Sequence, residues 1–348
     1  MSDKIYNVGV VGYGWAATAH IPAINACPNA QVTAIYSSRP QDEDALSKEY
    51  GSPIKVYNDY NEMLADDSLD VVDLTSFPQQ HKEQAIAAAQ AGKNLIIEKP
   101  LALSLGDVYA IRDAVDGARV KACVCFEVQY SNQFLATKEI LSKGLLGSVH
   151  YGEIDYYHGV GPWYGQYRWN VKKSGGGSSL LSAGCHALDI LRYLMGADVE
   201  SVSSYSTQSE HEYFQAYEYP TTSVTILNFK GGKLGKTASV LDCFQPYYFH
   251  THLVGSKGSL LDNKIHSEEL ALDKSRWSEL SMKLVDSGDV ADHPYQTQFE
   301  AYFQALSEGK DMAATSLAEA LKSHEVIFAA DLSAERGSPV TIEEIRNS

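Results

Sequence analysis

The stretch Val8-Gly9-Val10-Val11-Gly12-Tyr13-Gly14-Trp15-Ala16-Ala17 decides the fold of this chain. It joins the end of an apolar run, a turn with two glycines and the start of a helical pattern. In that geometry Gly12 permits a tight turn, Gly14 lets the backbone approach a pyrophosphate, and the small Ala17 permits close packing of helix on strand. The pattern predicts a dinucleotide-binding site with Tyr13 and Trp15 beside it, although a glycine turn without a ligand is the alternative.

Further apolar strands follow this unit, with helical segments between them. They are predicted at residues 32–36, 71–75, 95–97 and 120–126. Alternation of this kind is typical of a parallel sheet that is wound on both faces. We therefore expect an α/β fold whose N-terminal Rossmann domain, residues 1–126, carries NAD or NADP.

The end of the second strand bears on the choice between NAD and NADP. A carboxylate at this point would bond the ribose 2′-hydroxyl of NAD. The sequence instead has Ser38 and Arg39, a hydroxyl and a guanidinium that suit a 2′-phosphate. The acids of residues 42–44 come later and are expected to cap the next helix. The pattern slightly favours NADP, with a solvated or adenine-stacking Arg39 as the alternative.

The second half of the chain has a different pattern. Strands are predicted at residues 149–158, 199–207, 222–229, 236–244 and 250–254, with few helices between them. Such succession indicates an open, mostly antiparallel sheet. We expect residues 127–348 to form an α+β domain for substrate binding and oligomerisation. Amphipathic patterns at residues 295–306 and 317–332 predict packing helices.

Charge and composition exclude several classes of protein. A formal net charge of -16 argues against binding to nucleic acid or an anionic membrane, both of which reward clustered Lys and Arg. The first residues do not resemble a secretory signal, so we expect a cytoplasmic protein. Five cysteines without paired CxxC spacing indicate reduced thiols. Cys123 and Cys125 alternate on one strand without further ligands nearby, so no metal site is expected.

Two further segments carry candidate chemistry. Glu98-Lys99-Pro100 follows the strand at residues 95–97, at the carboxyl end where ligands of open α/β sheets bind. Gly175-Gly176-Gly177 precedes a helical pattern from Ser178 to Met195, in which Ser182, His186 and Asp189 are spaced to share one face. From spacing alone, a buried structural histidine is the preferred interpretation of His186, with a catalytic histidine as the alternative.

Four segments in order resemble the motifs of the Gfo/Idh/MocA family, which includes glucose-fructose oxidoreductase and inositol dehydrogenase. They are Gly12 to Ala23, Thr75 to His81, Glu98 to Pro100 and Gly175 to Gly196. The resemblance implies that Lys99 lies beside the nicotinamide and the reacting hydroxyl. It also implies that Thr75, Pro78, His81 and Glu98 help to seat the cofactor.

The segment Gly184-Cys185-His186-Ala187-Leu188-Asp189 resembles the family's G-x-H-x-x-D motif. The resemblance implies that His186 transfers the proton and that Asp189 holds a substrate hydroxyl. Many members carry an aspartate four residues before this histidine, where this chain has Ser182. Glu127 is a candidate to replace that carboxylate.

An aromatic segment precedes the glycine run. Tyr156-Tyr157-His158 and Trp163-Tyr164-x-x-Tyr167-Arg168-Trp169 combine rings with one cation. Aromatic faces with polar tips suit sugar rings, so His158, Trp163, Arg168 and Trp169 are candidate substrate contacts. Packing within the sheet is the alternative for each of them.

The preferred function is hydride transfer between the dinucleotide and a hydroxyl-bearing carbon of a sugar, glycoside or cyclitol. A redox-neutral enzyme that cleaves glycosides through transient oxidation by bound NAD is one alternative. A non-catalytic dinucleotide-binding regulator is another, although Lys99 and His186 argue against it. The resemblance further implies a homodimer or homotetramer through the C-terminal sheet.

Overall fold

The computed structural model describes residues 4–273 and 275–347. The chain divides into two compact units. The first contains residues up to Glu127 and Asp289–Leu321, and the second contains Val128–Gly288 and the chain from Lys322 onward. The sequence pattern predicts residues 289–321 as part of the second domain. They group with the first because a helix in this segment packs on the helix after the glycine turn, where the ring of Tyr295 lies 4.4 Å from that of His20.

The first unit contains a six-stranded parallel sheet with the order β3-β2-β1-β4-β5-β6. Its strands are β1 (Tyr6–Val11), β2 (Ala30–Tyr36), β3 (Lys55–Tyr57), β4 (Val71–Leu74), β5 (Asn94–Ile97) and β6 (Ala122–Val124). Its helices are α1 (Trp15–Asn25), α2 (Glu43–Tyr50), α3 (Tyr60–Leu64), α4 (Pro78–Gln90), α5 (Leu105–Ala118) and α10 (Tyr295–Ser307). The predicted Rossmann architecture is confirmed.

The central strands of this sheet are buried along most of their length. Val71, Val72 and Leu74 of β4 are fully buried, as are Leu95, Ile96 and Ile97 of β5. Helices cover both faces of such a sheet, which explains continuous apolar runs instead of alternation. Strand order reverses between β1 and β4, so a crevice opens at their carboxyl ends.

The second unit contains a nine-stranded sheet with the order β14-β13-β12-β11-β7-β10-β9-β8-β15. Its strands are β7 (Val149–Tyr157), β8 (Val199–Thr207), β9 (Thr222–Phe229), β10 (Leu234–Val240), β11 (Tyr248–Gly255), β12 (Gly258–Leu261), β13 (Lys264–Ser267), β14 (Ser278–Glu279) and β15 (Val340–Thr341). Pairing is antiparallel except between β7 and β10. The predicted mostly antiparallel sheet is confirmed, with one parallel pair in its middle.

The helices of the second unit include one that lies against this sheet. They are α6 (Asn132–Ser142), α7 (Tyr167–Asn170), α8 (Lys173–Gly176), α9 (Cys185–Met195) and α12 (Ile342–Arg346). A further helix, α11, spans Leu317–Arg336. Gly152 of β7 lets α9 approach closely, since a Cβ there would lie 2.6 Å from Met195 Sδ. Of the helices in the described ranges, none combines the length and hydropathy that a membrane span needs.

The opposite face of the sheet is open and mixed in character. In the strand register, Lys236 on β10 lies opposite Glu153 on β7 and opposite Ile226 on β9, so these three side chains share that face. Tyr205 and Val224 pair beside them on β8 and β9. Tyr205 is 71% exposed and Ile226 is 46% exposed. Charged and apolar side chains therefore lie side by side on this surface.

Candidate active site

The glycine turn has the backbone geometry that a pyrophosphate needs. Gly12 has a φ of 90°, and a Cβ on it would lie 3.1 Å from the Cα of Ser76. Gly14 is exposed, and no described atom lies within 4 Å of where its Cβ would be. It precedes α1, whose small Ala17 is fully buried against the sheet. No packing contact requires a glycine at position 14, which lies at the start of a helix. Such a position fits a dinucleotide phosphate.

Side chains of the first unit brace this turn. Thr75 Oγ1 donates to the carbonyl oxygen of Gly12 at 2.7 Å, so the threonine holds the turn from below. The hydroxyl of Tyr13 lies 2.9 Å from that of Tyr50. Trp15 is 38% exposed at the first position of α1. The structure therefore gives Thr75 a supporting role, and leaves Trp15 at the surface where a cofactor contact is predicted.

Glu98 holds the backbone of Lys99 at the carboxyl end of β5. Glu98 is buried, and its Oε2 accepts from the backbone N–H of Lys99 at 3.0 Å. Its Oε1 accepts from the hydroxyl of Tyr295 at 2.9 Å and lies 3.0 Å from Nε2 of His20. Lys99 itself is half-buried. The carboxylate thus positions the peptide that carries the candidate catalytic lysine.

His20 carries a positive charge beneath this segment. Its Nδ1 lies 3.1 and 3.0 Å from the two carboxylate oxygens of Asp73, and its Nε2 faces Glu98. Burial by itself lowers the pKa of His20, but the charge and hydrogen bonds of the two carboxylates outweigh it and raise the pKa to about 10. An imidazolium with both N–H groups bonded offsets part of the charge of the two buried carboxylates.

His81 connects two loops at the same edge of the sheet. Its Nδ1 lies 2.9 Å from the carbonyl oxygen of Pro100, and its Nε2 lies 3.1 Å from that of Ser76. Burial lowers the pKa of His81, and the two carbonyl oxygens oppose this shift. Pro78 begins α4, where its missing N–H leaves no bond unmade. The two residues support the loops around Lys99, and their contact with a cofactor stays a prediction.

The end of β2 leaves Ser38 and Arg39 exposed. The acids that follow were expected to cap the next helix, and Asp42 does so. Asp42 accepts from the backbone N–H of Ala45 at 3.0 Å and caps α2, and Glu43 accepts from the backbone N–H of Val56 at 2.8 Å. A hydroxyl and a guanidinium are therefore the side chains presented at this end of the strand.

In the second unit, His186 lies in the first turn of α9 and is 3% exposed. The turn before it, Leu180–Gly184, is a π-helix, whereas the sequence predicted one regular helix. Ser239 explains the wider turn, because its hydroxyl donates to the carbonyl oxygen of Ser179 at 2.8 Å and its side chain packs on Gly184. Such π-turns are frequent at functional sites.

The two polar neighbours predicted for His186 are both buried. Ser182 lies within the π-turn. Asp189 is 1% exposed: Gln129 donates to its Oδ2, Ser323 donates to its Oδ1 at 2.6 Å, and Arg192 lies 3.9 Å away. Burial raises the pKa of Asp189. This arrangement favours a structural role for Asp189.

Glu127 has a partner within its own unit. Its side chain is fully buried, and Oε1 lies 2.7 Å from Nδ1 of His293. The imidazole of His293 in turn stacks on Tyr295, which bonds Glu98. Glu127 was predicted as the carboxylate that supports His186. The structure pairs it with a histidine that the sequence analysis did not consider.

An aromatic cleft of 450 Å³ lies in the second unit beside the end of β7. His158 and Trp163 line it, together with Gly159, Cys243, Phe244, Gln245, Pro246 and Tyr247. Trp163 is 57% exposed and Phe244 is 64% exposed. Arg168 is exposed and Trp169 is half-buried, both on α7, and neither lines this cleft. The structure brings together two of the four predicted substrate contacts.

The comparisons with known proteins agree with this geometry. A family model described as an oxidoreductase family with an NAD-binding Rossmann fold matches residues 6–126, and the GFO/IDH/MocA C-terminal domain matches residues 134–261. Myo-inositol 2-dehydrogenase of Thermotoga maritima is 26% identical over 97% of this chain and 99% of that protein. The scyllo-inositol 2-dehydrogenase (NAD(+)) of Bacillus subtilis is 23% identical over 97% and 95%.

Among solved structures, levoglucosan dehydrogenase in complex with NADH and levoglucosan has a TM-score of 0.82 at 22% identity. The match covers 98% of this chain and 100% of that one, which supports the fold. The two family models together span most of the chain and contain the glycine turn, Glu98-Lys99-Pro100 and the helix of His186. This chain therefore belongs to the Gfo/Idh/MocA family of oxidoreductases.

Proposed function

We propose that this oxidoreductase transfers a hydride between a nicotinamide dinucleotide and a hydroxyl-bearing carbon of a cyclitol or sugar. The observation that carries the proposal is Lys99, which buried Glu98 holds at the carboxyl end of β5 in a unit with an open glycine turn. The two inositol dehydrogenases among the relatives support this substrate class. The bound nicotinamide would supply the hydride chemistry.

In this proposal, Lys99 orients the reacting oxygen. Its ammonium donates a hydrogen bond to the hydroxyl and stabilises negative charge as the proton leaves. The buried carboxylate beneath it fixes the backbone, so that the side chain starts from one position. Gly12, Gly14 and the start of α1 would hold the dinucleotide phosphates.

His186 is the proposed proton acceptor on the second unit. We expect His186→Asn to lower kcat about 100-fold, because general-base catalysis contributes about 10²–10⁴-fold. The acid limb of the pH profile should also be lost. Steady-state kinetics from pH 5 to 10 would measure both, with the exposed His150 on β7 replaced by Asn as the control. Unchanged kcat would assign the base to another group, with carboxylate-bonded His293 the next to replace.

Arg39 is proposed to recognise the 2′-phosphate of NADP. We expect Arg39→Ala to weaken NADP⁺ binding about tenfold relative to NAD⁺, which corresponds to about 1.4 kcal/mol for one charge-assisted contact. Dissociation constants for NAD⁺ and NADP⁺, measured by isothermal titration calorimetry, would test this, with Arg112→Ala on α5 as the control. Equal losses for NAD⁺ and NADP⁺ would make Arg39 an adenine-stacking residue and end the preference for NADP.

The aromatic cleft is proposed to contact the sugar ring. Trp163 and Phe244 expose ring faces that stack on C–H groups, while His158 offers a polar group. The pure protein should be incubated with inositols, aldoses and glycosides, with NAD⁺ and NADP⁺ in separate reactions. Reduced cofactor together with a keto product would establish the dehydrogenase. Glycoside cleavage without net reduction would establish the redox-neutral alternative, and no reaction of either kind would favour the regulator.

Assembly through the open face of the nine-stranded sheet is also proposed. Tyr205, Val224 and Ile226 expose apolar surface on β8 and β9, which a second copy of the chain would cover. Light scattering after size exclusion would distinguish a dimer or tetramer from a monomer.

A further inference from the structure

A cluster of metal-ligand residues lies on the open face of the second unit's sheet, apart from the residues proposed for catalysis. Glu153 on β7 and His250 and His252 on β11 offer one ligand atom each, and these three atoms lie within 4.8 Å of one another. We propose that this β7–β11 cluster binds a divalent transition metal, for which zinc is the best match.

Strand register explains why the three side chains converge. His250 and His252 are two residues apart on β11, so they point to the same face. In the antiparallel pair, His252 lies directly opposite Glu153, and His250 lies opposite Asp155. Two histidines from one strand and a carboxylate from its neighbour form a three-ligand set on a rigid element. Sheet positions hold such a set more firmly than a loop does.

The donor types favour zinc over a hard cation. Imidazole nitrogens suit zinc, copper and nickel, whereas calcium and magnesium prefer oxygen ligands. Three protein ligands with a fourth position left for water is a common zinc arrangement. All three residues are half-buried.

His250 already has the outer partner that metal-bound histidines usually have. Its Nδ1 lies 3.4 Å from Oδ1 of Asp262, while its Nε2 faces Oε2 of Glu153 at 4.0 Å. Asp262 is itself held by the hydroxyl of Tyr248 at 2.6 Å and the backbone N–H of Thr251 at 2.9 Å. A carboxylate on one ring nitrogen orients the other nitrogen towards a metal.

The local charge also suits a divalent cation. Glu153, Asp155 and Asp262 contribute three carboxylates, and Lys236 contributes one ammonium that lies 2.6 Å from Glu153 Oε1 and 2.6 Å from Asp155 Oδ2. With neutral imidazoles, two net negative charges remain. Lys236 donates to Oε1 of Glu153. The other oxygen, Oε2, faces the histidines and accepts from the Tyr151 hydroxyl at 3.1 Å.

The test uses the untagged full-length protein, stripped with EDTA and exchanged into chelator-free buffer. Zinc chloride titrated into it in a calorimeter at pH 7.5 should show one site per chain, with a dissociation constant of about 1 μM or lower. His252→Ala should weaken binding at least tenfold, and Asp262→Asn about tenfold, as outer partners typically do. His150→Ala, on the same strand as Glu153, should bind zinc as the unchanged protein does.

Cobalt chloride provides a second readout that reports the ligands directly. Tetrahedral Co²⁺ should give a visible absorption band in the unchanged protein and in His150→Ala, and the band should be lost in His252→Ala. Absence of saturable zinc binding, or equal affinity in His252→Ala and the unchanged protein, would overturn the proposal. Thermal melts of each variant would show that it is folded, so that a loss of binding reports the ligand set.

Discussion

Lys99→Met is expected to lower kcat about 1,000-fold while the affinity for the dinucleotide changes by less than about threefold. Methionine keeps the length of the side chain and removes its charge, so the hydrogen bond to the reacting oxygen is lost. Removal of one preorganised donor to a developing oxyanion typically costs about 10²–10³-fold in kcat. Because Glu98 bonds the backbone of residue 99, the variant keeps the local conformation.

Lys82→Met on α4 is the matched control for this variant. Lys82 is an exposed lysine of the same unit that pairs with Asp107, and its replacement should leave kcat unchanged. Initial rates with the substrate found in the panel, and cofactor titrations by fluorescence, would separate kcat from binding. If Lys99→Met kept full activity, the lysine would have no part in the chemistry. If neither protein turned over any substrate, the regulator hypothesis would gain support.

The order of elements in the first unit could be predicted because each signal is local. The apolar run before Gly12, the glycines and the small Ala17 lie within one short stretch, and repeated strands indicate the sheet. The antiparallel character of the second sheet could also be predicted, because its strands follow one another with few helices between them. Its one parallel pair, β7 with β10, was not, because residues 158–233 separate the two strands.

The support of Lys99 could not be predicted, because it depends on contacts between distant residues. His20 meets Asp73 across 53 positions and Glu98 across 78, and Tyr295 meets Glu98 across 197. His20 lay inside the quoted family segment but carried no signal of its own. The local sequence shows His20 only as a polar residue on an otherwise apolar helix face, and this does not predict which residues it contacts.

The same limit applies to the predicted site residues that turned out to have other partners. Glu127 was matched to His186 on chemistry alone, whereas the structure gives it His293. Regular helical spacing groups Ser182 with His186, whereas Ser182 lies in a π-turn and His186 lies in the α-helix that follows. Helical spacing predicts which side chains share a face only where the backbone hydrogen bonds of a regular α-helix are made. A side chain that bonds a carbonyl oxygen of the helix interrupts this regularity.

His20→Leu is expected to destabilise the first unit by about 3–5 kcal/mol, the typical cost of removing one partner from a buried ion pair. Leucine fills similar space but removes the cation that Asp73 and Glu98 share. Urea unfolding at pH 6.5 would measure the change. The double variant His20→Leu/Asp73→Asn should recover a large part of the loss, because it removes one of the two stranded carboxylates. A double variant less stable than His20→Leu would show that packing, and not charge, is what the histidine provides.

The pH dependence of the same measurement identifies the charge on the ring. The folded-state pKa of His20, about 10, lies above its ordinary value of 6.5. Its contribution to the free energy of unfolding is therefore complete below pH 6.5 and is lost as the pH rises through 10. The unchanged protein should lose stability across this window, and His20→Leu should show a smaller slope there. Parallel curves for the two proteins would mean that His20 is neutral in the folded state, and that Glu98 supports the backbone of Lys99 without an imidazolium beneath it.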